Sequence, residues 1–108
     1  MLETKPILLT RHFFGRWAER VLEAEDINQA KRMSKDVINE IEKVISNKDY
    51  VCIYNGEERG KPKYRVICEL FGTLVTLIVL DTEVNVVKTV WIPKPWEKEI
   101  YEKRGEIG

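Results

Sequence analysis

The chain has 108 residues, 44% hydrophobic and 33% charged, the composition of one folded domain (residues 1–108) with a single core. Its 18 Lys and Arg balance 18 Asp and Glu, which excludes nucleic-acid binding by bulk positive charge and leaves only a local patch. Leu70 to Leu80, the longest nearly uncharged stretch, is far below the roughly 20 residues of a membrane helix, and the first residues lack a signal-peptide run, so a cytoplasmic protein without membrane contact is expected.

In chain order, Lys5 to Leu9 reads as a short extended lead, and Thr10 is placed to cap a first helix from Arg11 to about Glu23. Asp26 or Ser34 can cap a restart, and Met33, Val37, Ile38, Ile41, Val44 and Ile45 make one apolar stripe on a second helix ending near Asn47. From Asp49 the hydrophobic period drops from about 3.6 to about 2. Tyr50 to Tyr54 reads as a strand, followed by a loop marked by Asn55-Gly56, Gly60 and Pro62. Lys63 to Phe71 alternates, with Tyr64, Val66, Cys68 and Leu70 facing opposite to Arg65, Ile67, Glu69 and Phe71. Gly72 allows a tight turn into Thr73 to Leu80, and a loop from Asp81 leads to a last strand, Val84 to Ile92. Pro93 and Pro95 stop the sheet, and Trp96 to Arg104 can form a short charged helix or tail.

Helices followed by strands predict an α+β fold: two N-terminal helices on one face of a four-stranded antiparallel sheet. The other sheet face is then the natural ligand surface, lined by Arg65, Glu69, Lys88 and their neighbours. Cys52 and Cys68 are expected as buried free thiols. With one histidine and no Cys-x-x-Cys, neither metal nor cofactor is expected.

The first helix carries the clearest functional signal. At about 100° per residue, His12, Arg16, Glu19, Arg20 and Glu23 share a polar stripe, while Phe13, Phe14, Trp17, Ala18, Val21 and Leu22 fill the apolar side. A histidine beside two guanidinium groups near a helix start suits a phosphodiester. The bland alternative is a solvated face, in which Arg16–Glu19 and Arg20–Glu23 are (i, i+3) pairs worth about 0.2–0.5 kcal/mol. Residues 1–20 carry four basic and two acidic groups, and Arg59 to Arg65 forms the second basic segment. There Lys61, Lys63 and Arg65 flank Tyr64 as a basic-aromatic cluster, or else serve as charges that protect a strand edge. Trp17 is expected in the core and Trp96 as a clamp for the tail. Alternation turns Trp91 away from Val90, toward the helices or into a cleft where it could stack a base.

Thr-x-His-x-x-x-Arg-x-x-Glu-Arg at 10–20 resembles the opening of a family of small prokaryotic and phage domains grouped with the RelE-like toxins, in the superfamily of barnase, EndoU and the colicin ribonucleases. Ser34 to Ile38 resembles the family's Ser-x-x-x-Val, and Val87-Lys-Thr-Val-Trp-Ile-Pro93 its closing Val-x-Thr-Val-Tyr-x-Pro. Two features depart from that pattern: an extra segment from Glu23 to Arg32, and Trp91 where tyrosine is common.

The resemblance implies a metal-independent endoribonuclease with RNA as substrate and an antitoxin-like protein partner. His12 would be the acid or base, Arg16 and Arg20 would hold the phosphate, and Glu19, Tyr64 or Tyr101 would supply the second proton-transfer group. RNA contacts would come from Lys61, Lys63, Tyr64, Arg65, Lys88 and Trp91. The alternatives are a non-catalytic RNA- or protein-binding module on the same scaffold, and a structural dimerisation domain.

Overall fold

The structure is a computed structural model that describes residues 2–21 and 34–107. The expected restart at Asp26, Met33 and the extra segment Glu23 to Arg32 lie outside the described residues. The elements are β1 (Ile7–Leu9), α1 (Arg11–Arg16) continued by a π-helical turn (Trp17–Val21), α2 (Ser34–Asn47), β2 (Val51–Glu58), β3 (Lys61–Leu70), β4 (Thr73–Asp81), β5 (Asn85–Trp91) and α3 (Pro95–Ile107). Among the described residues no helix is long and apolar enough to cross a membrane.

The fold is α+β, and β2 to β5 form the expected antiparallel meander. The sheet nevertheless has five strands and is mixed, in the order β1-β5-β4-β3-β2, because β1 adds to β5 in parallel. Three residues are too few to show alternation, and what secures β1 lies almost eighty residues away. Buried Asn85 donates through its backbone N–H to the Pro6 carbonyl (2.9 Å) and through Nδ2 to the Glu3 carbonyl (2.9 Å). Lys5 also pairs with Asp81 and donates to the Thr82 carbonyl at 2.6 Å.

One sheet face buries Val66, Cys68, Leu70, Val75, Leu77, Val79, Val87 and Val90 against Phe13, Trp17, Val37, Ile41 and Ile45. The alternation read for β3 therefore points its apolar set to the helices, and Trp17 is a core residue. The first helix is not regular throughout as expected. It continues in a π turn, where Trp17 and Ala18 are both buried, as their shared apolar side predicts. α2 ends in a Schellman arrangement with Lys48 left-handed (φ 55°), its N–H reaching Ile45 and that of Asp49 reaching Val44.

The strand boundaries also differ. β2 continues to Glu58, because Asn55-Gly56 forms a bulge within the strand, Gly56 at φ 90°, rather than opening a loop. Arg59-Gly60 and Phe71-Gly72 make the tight turns with positive φ at both positions. At the C-terminus the helical alternative forms, and it is longer than expected, Pro95–Ile107. Pro95 occupies its first turn and Glu97 reaches back to the Lys94 N–H at 2.8 Å, as in a capping box. α3 packs on the face opposite α1 and α2, through Arg65, Trp91 and buried Tyr101.

Both cysteines are free thiols, Cys52 half-buried and Cys68 buried. Burial pushes the Cys68 thiol up to about 12, with Asp49, Glu69 and Glu40 adding to the effect.

Candidate nucleic-acid cleft

β1 pairs only with Asn85 to Val87, so among the described residues the rest of the outer edge of β5 has no strand beside it. The first helical segment takes that place. Thr10 donates its N–H to the Val87 carbonyl (3.2 Å) and its hydroxyl to the Lys88 carbonyl (2.9 Å), while Arg20 reaches the Val90 carbonyl at 3.4 Å. The Thr10 hydroxyl oxygen also accepts from the Phe13 N–H at 3.1 Å, capping α1 as expected.

Thr10 grips β5 at a bulge. Ile78 pairs with Thr89 and Val79 with Val87, leaving Lys88 as the extra residue. Val87 and Val90, three apart, thus both enter the core, and Lys88 and Thr89 both line the opposite face. Thr10→Ala loses cap and bulge anchor together. Urea denaturation should show a loss of about 1–2 kcal/mol, most of it restored by Thr10→Ser.

A cleft of about 500 Å³ opens there, on the part of the sheet that α3 leaves uncovered. Thr10 and His12 line it from the helix start, Asn55 and Glu58 from β2, Lys63 from β3, Ile78 from β4, and Lys88, Thr89 and Trp91 from β5. Lys88 Nζ lies 2.9 Å from Glu58 Oε2. Two strands separate β5 from β2, a span of about 14 Å at the usual strand spacing. The ion pair nevertheless closes across it through two long side chains. Hydrogen bonding from Lys88 holds the Glu58 carboxyl below the usual carboxylate range, and the charges of Lys88, Lys63 and Arg59 act in the same direction. Two lysines against one carboxylate leave the cleft with a positive surplus, beside an exposed imidazole and an indole.

His12, Lys63, Lys88 and Trp91 are thus brought together, and the remaining expected site residues are not. Arg16 pairs with Glu19 at 3.0 Å on the helix surface, outside the cleft lining. Arg20 supports β5. Lys61 is exposed on the β2–β3 hairpin, and Tyr64 faces the core, edge-on to Tyr54 at 6.0 Å. Tyr101 is buried under the Arg104 guanidinium, 3.6 Å from its ring centroid. Arg65 is drawn under α3 into an ion pair with Glu97 (3.1 Å), and Glu69 lines a separate groove with Glu40 and Asp49. The ligand surface expected from Arg65 and Glu69 is therefore displaced toward Lys63 and Lys88.

No protein family, curated protein or solved structure matches the chain. The site stands on its own geometry. Asn55, Glu58, Ile78 and Thr89 were not among the expected residues. Glu58 follows Asn55-Gly56, and only the bulge reveals that the strand continues to carry it into the cleft. Among the described residues no three His, Cys, Asp or Glu side chains cluster as a metal site would need.

Proposed function

We propose that the cleft binds RNA and that the chain is a cytoplasmic, metal-independent endoribonuclease of the RelE-like type. The observation that carries this reading is the convergence of His12, Glu58, Lys63 and Lys88, from one helix and three strands, in a single concavity. The lysines supply positive charge for a phosphodiester and for the charge that builds on it during attack.

Glu58, kept ionised by its cationic neighbours, takes the proton of the 2′-hydroxyl. The 2′-oxygen forms a bond to phosphorus, and the bond to the 5′-oxygen breaks. The imidazolium of His12 gives its proton to that leaving oxygen. The products are a 2′,3′-cyclic phosphate and a 5′-hydroxyl end. Glu58 replaces Glu19, Tyr64 and Tyr101 as the second proton-transfer group, because it alone of the four lines the cleft with His12. Arg16 and Arg20, on the helix outside the lining, serve neighbouring phosphates instead of the scissile one. An antitoxin-like protein would restrain such an enzyme in its host.

The test is incubation with mixed cellular RNA in EDTA and analysis of the ends formed. Cleavage to 2′,3′-cyclic phosphate ends supports the reading, and intact RNA overturns the enzymatic part of it. A second reading, a binding module without chemistry, is favoured by the Lys88–Glu58 ion pair, which occupies the base with a cation. It predicts salt-sensitive RNA binding with no cleavage.

A further inference from the structure

Trp91 is held in place by residues that lie outside the cleft. Its indole Nε1 donates to Glu97 Oε1 at 3.0 Å, and the Arg65 guanidinium carbon lies 5.4 Å from its ring centroid. Arg65 is itself fixed. It pairs with Glu97 Oε2 at 3.1 Å and lies 4.9 Å from the Trp96 ring centroid. Glu97 is fully buried, and its carboxylate also accepts from the Lys94 N–H. Arg65 and Glu97 do not line the cleft, so they support the indole from outside it, while Trp91 remains half-buried and lines the cleft beside Ile78 and Thr89.

We infer that Trp91 is a prepositioned stacking wall for a nucleobase, with Arg65 and Glu97 as its positioning residues, so that the site takes a base-bearing, unpaired nucleotide and not a bare phosphate chain. The inference rests on the RNA reading of the cleft and adds what lies next to the bound phosphate. A ring whose N–H and orientation are already fixed loses little freedom when a base stacks on it, so more of the stacking energy appears as affinity. Every base presents a π face, so the wall selects for an unpaired base without selecting among bases. A base within a duplex is already stacked on its neighbours and has no free face to offer.

The test uses a labelled, uncleavable 2′-O-methyl RNA tetranucleotide and four versions of it, each with one abasic position, read by fluorescence anisotropy. At one position the abasic sugar should weaken binding to the wild-type protein by about fivefold or more. Trp91→Ala should abolish that difference. Arg65→Met and Glu97→Leu should shrink it while leaving the salt dependence of binding, which counts phosphate contacts, unchanged. Equal binding of all five oligomers to the wild type overturns the stacking wall and leaves the RNA reading standing. Equal weakening of intact and abasic oligomers by Arg65→Met overturns the positioning role. Absence of binding by every oligomer overturns both the wall and the RNA reading. The wild-type comparison needs no variant to fold.

Discussion

Replacing His12 with alanine should slow RNA cleavage by about 10²- to 10⁴-fold, the usual loss when a positioned acid or base is removed. The fold should survive, because His12 is exposed and the cap of α1 belongs to Thr10. The melting temperature therefore serves as the control. Glu58→Gln should impair the same step from the opposite side. It preserves shape and a hydrogen-bond acceptor for Lys88 but removes the base, so the rate should fall while RNA binding holds or tightens as negative charge leaves the cleft. The pH profile separates the two roles. Glu58 is held below the usual carboxylate range, so the acid limb of the wild-type rate should lie below the ordinary glutamate pKa of about 4.3. Glu58→Gln should remove that limb. An unchanged rate in His12→Ala would take the imidazole out of the mechanism and leave the cleft as a binding surface.

The meander was legible because alternation in β3 and the apolar run of β4 are local signals that survive in the folded sheet. The wet face of α1 was legible for the same reason, and so was its cap at Thr10. The rest depends on distant contacts. β1 exists because Asn85 and β5 receive it, not because Ile7 to Leu9 announces a strand.

The cleft escaped a periodic reading because it is built from two irregularities. At Asn55-Gly56 a bulge prolongs β2 and delivers Glu58, and at Lys88 another places two successive residues on one face. Strict alternation would have separated Lys88 from Thr89. Arg65 was misplaced for a different reason. Alternation gives its face correctly, but α3 then covers that part of the face and engages the guanidinium through Glu97. Pro95 reads as a stop for the sheet and equally as the first residue of a helix. With Glu at its third position, the second reading is the one that forms.

Glu97→Ala should be the most destabilising single substitution among the charged residues described. The carboxylate is fully buried and serves three donors: the Lys94 N–H at 2.8 Å, the Trp91 indole N–H at 3.0 Å and the Arg65 guanidinium at 3.1 Å. Truncation strands a cation and two N–H groups at part-buried positions. Partners lost from a buried pair cost about 3–5 kcal/mol. Arg65 keeps some exposure, which places the expected loss near the lower end, about 3 kcal/mol or roughly 10 to 20 °C in melting temperature.

Burial alone would raise the Glu97 carboxyl, but the Lys94 and Trp91 donors and the Arg65 charge outweigh it and hold it below the usual range. A carboxylate lowered in the folded state stabilises the fold above its unfolded pKa and loses that contribution as pH falls through the folded value. The stability gap between wild type and Glu97→Gln should therefore be full at pH 7 and narrow below about pH 4. Urea titrations at the two pH values read this directly. A gap that stays constant in acid would mean that the three donors, and not the charge, carry the contribution of Glu97. α3 would then be held to the sheet by hydrogen bonds and packing alone.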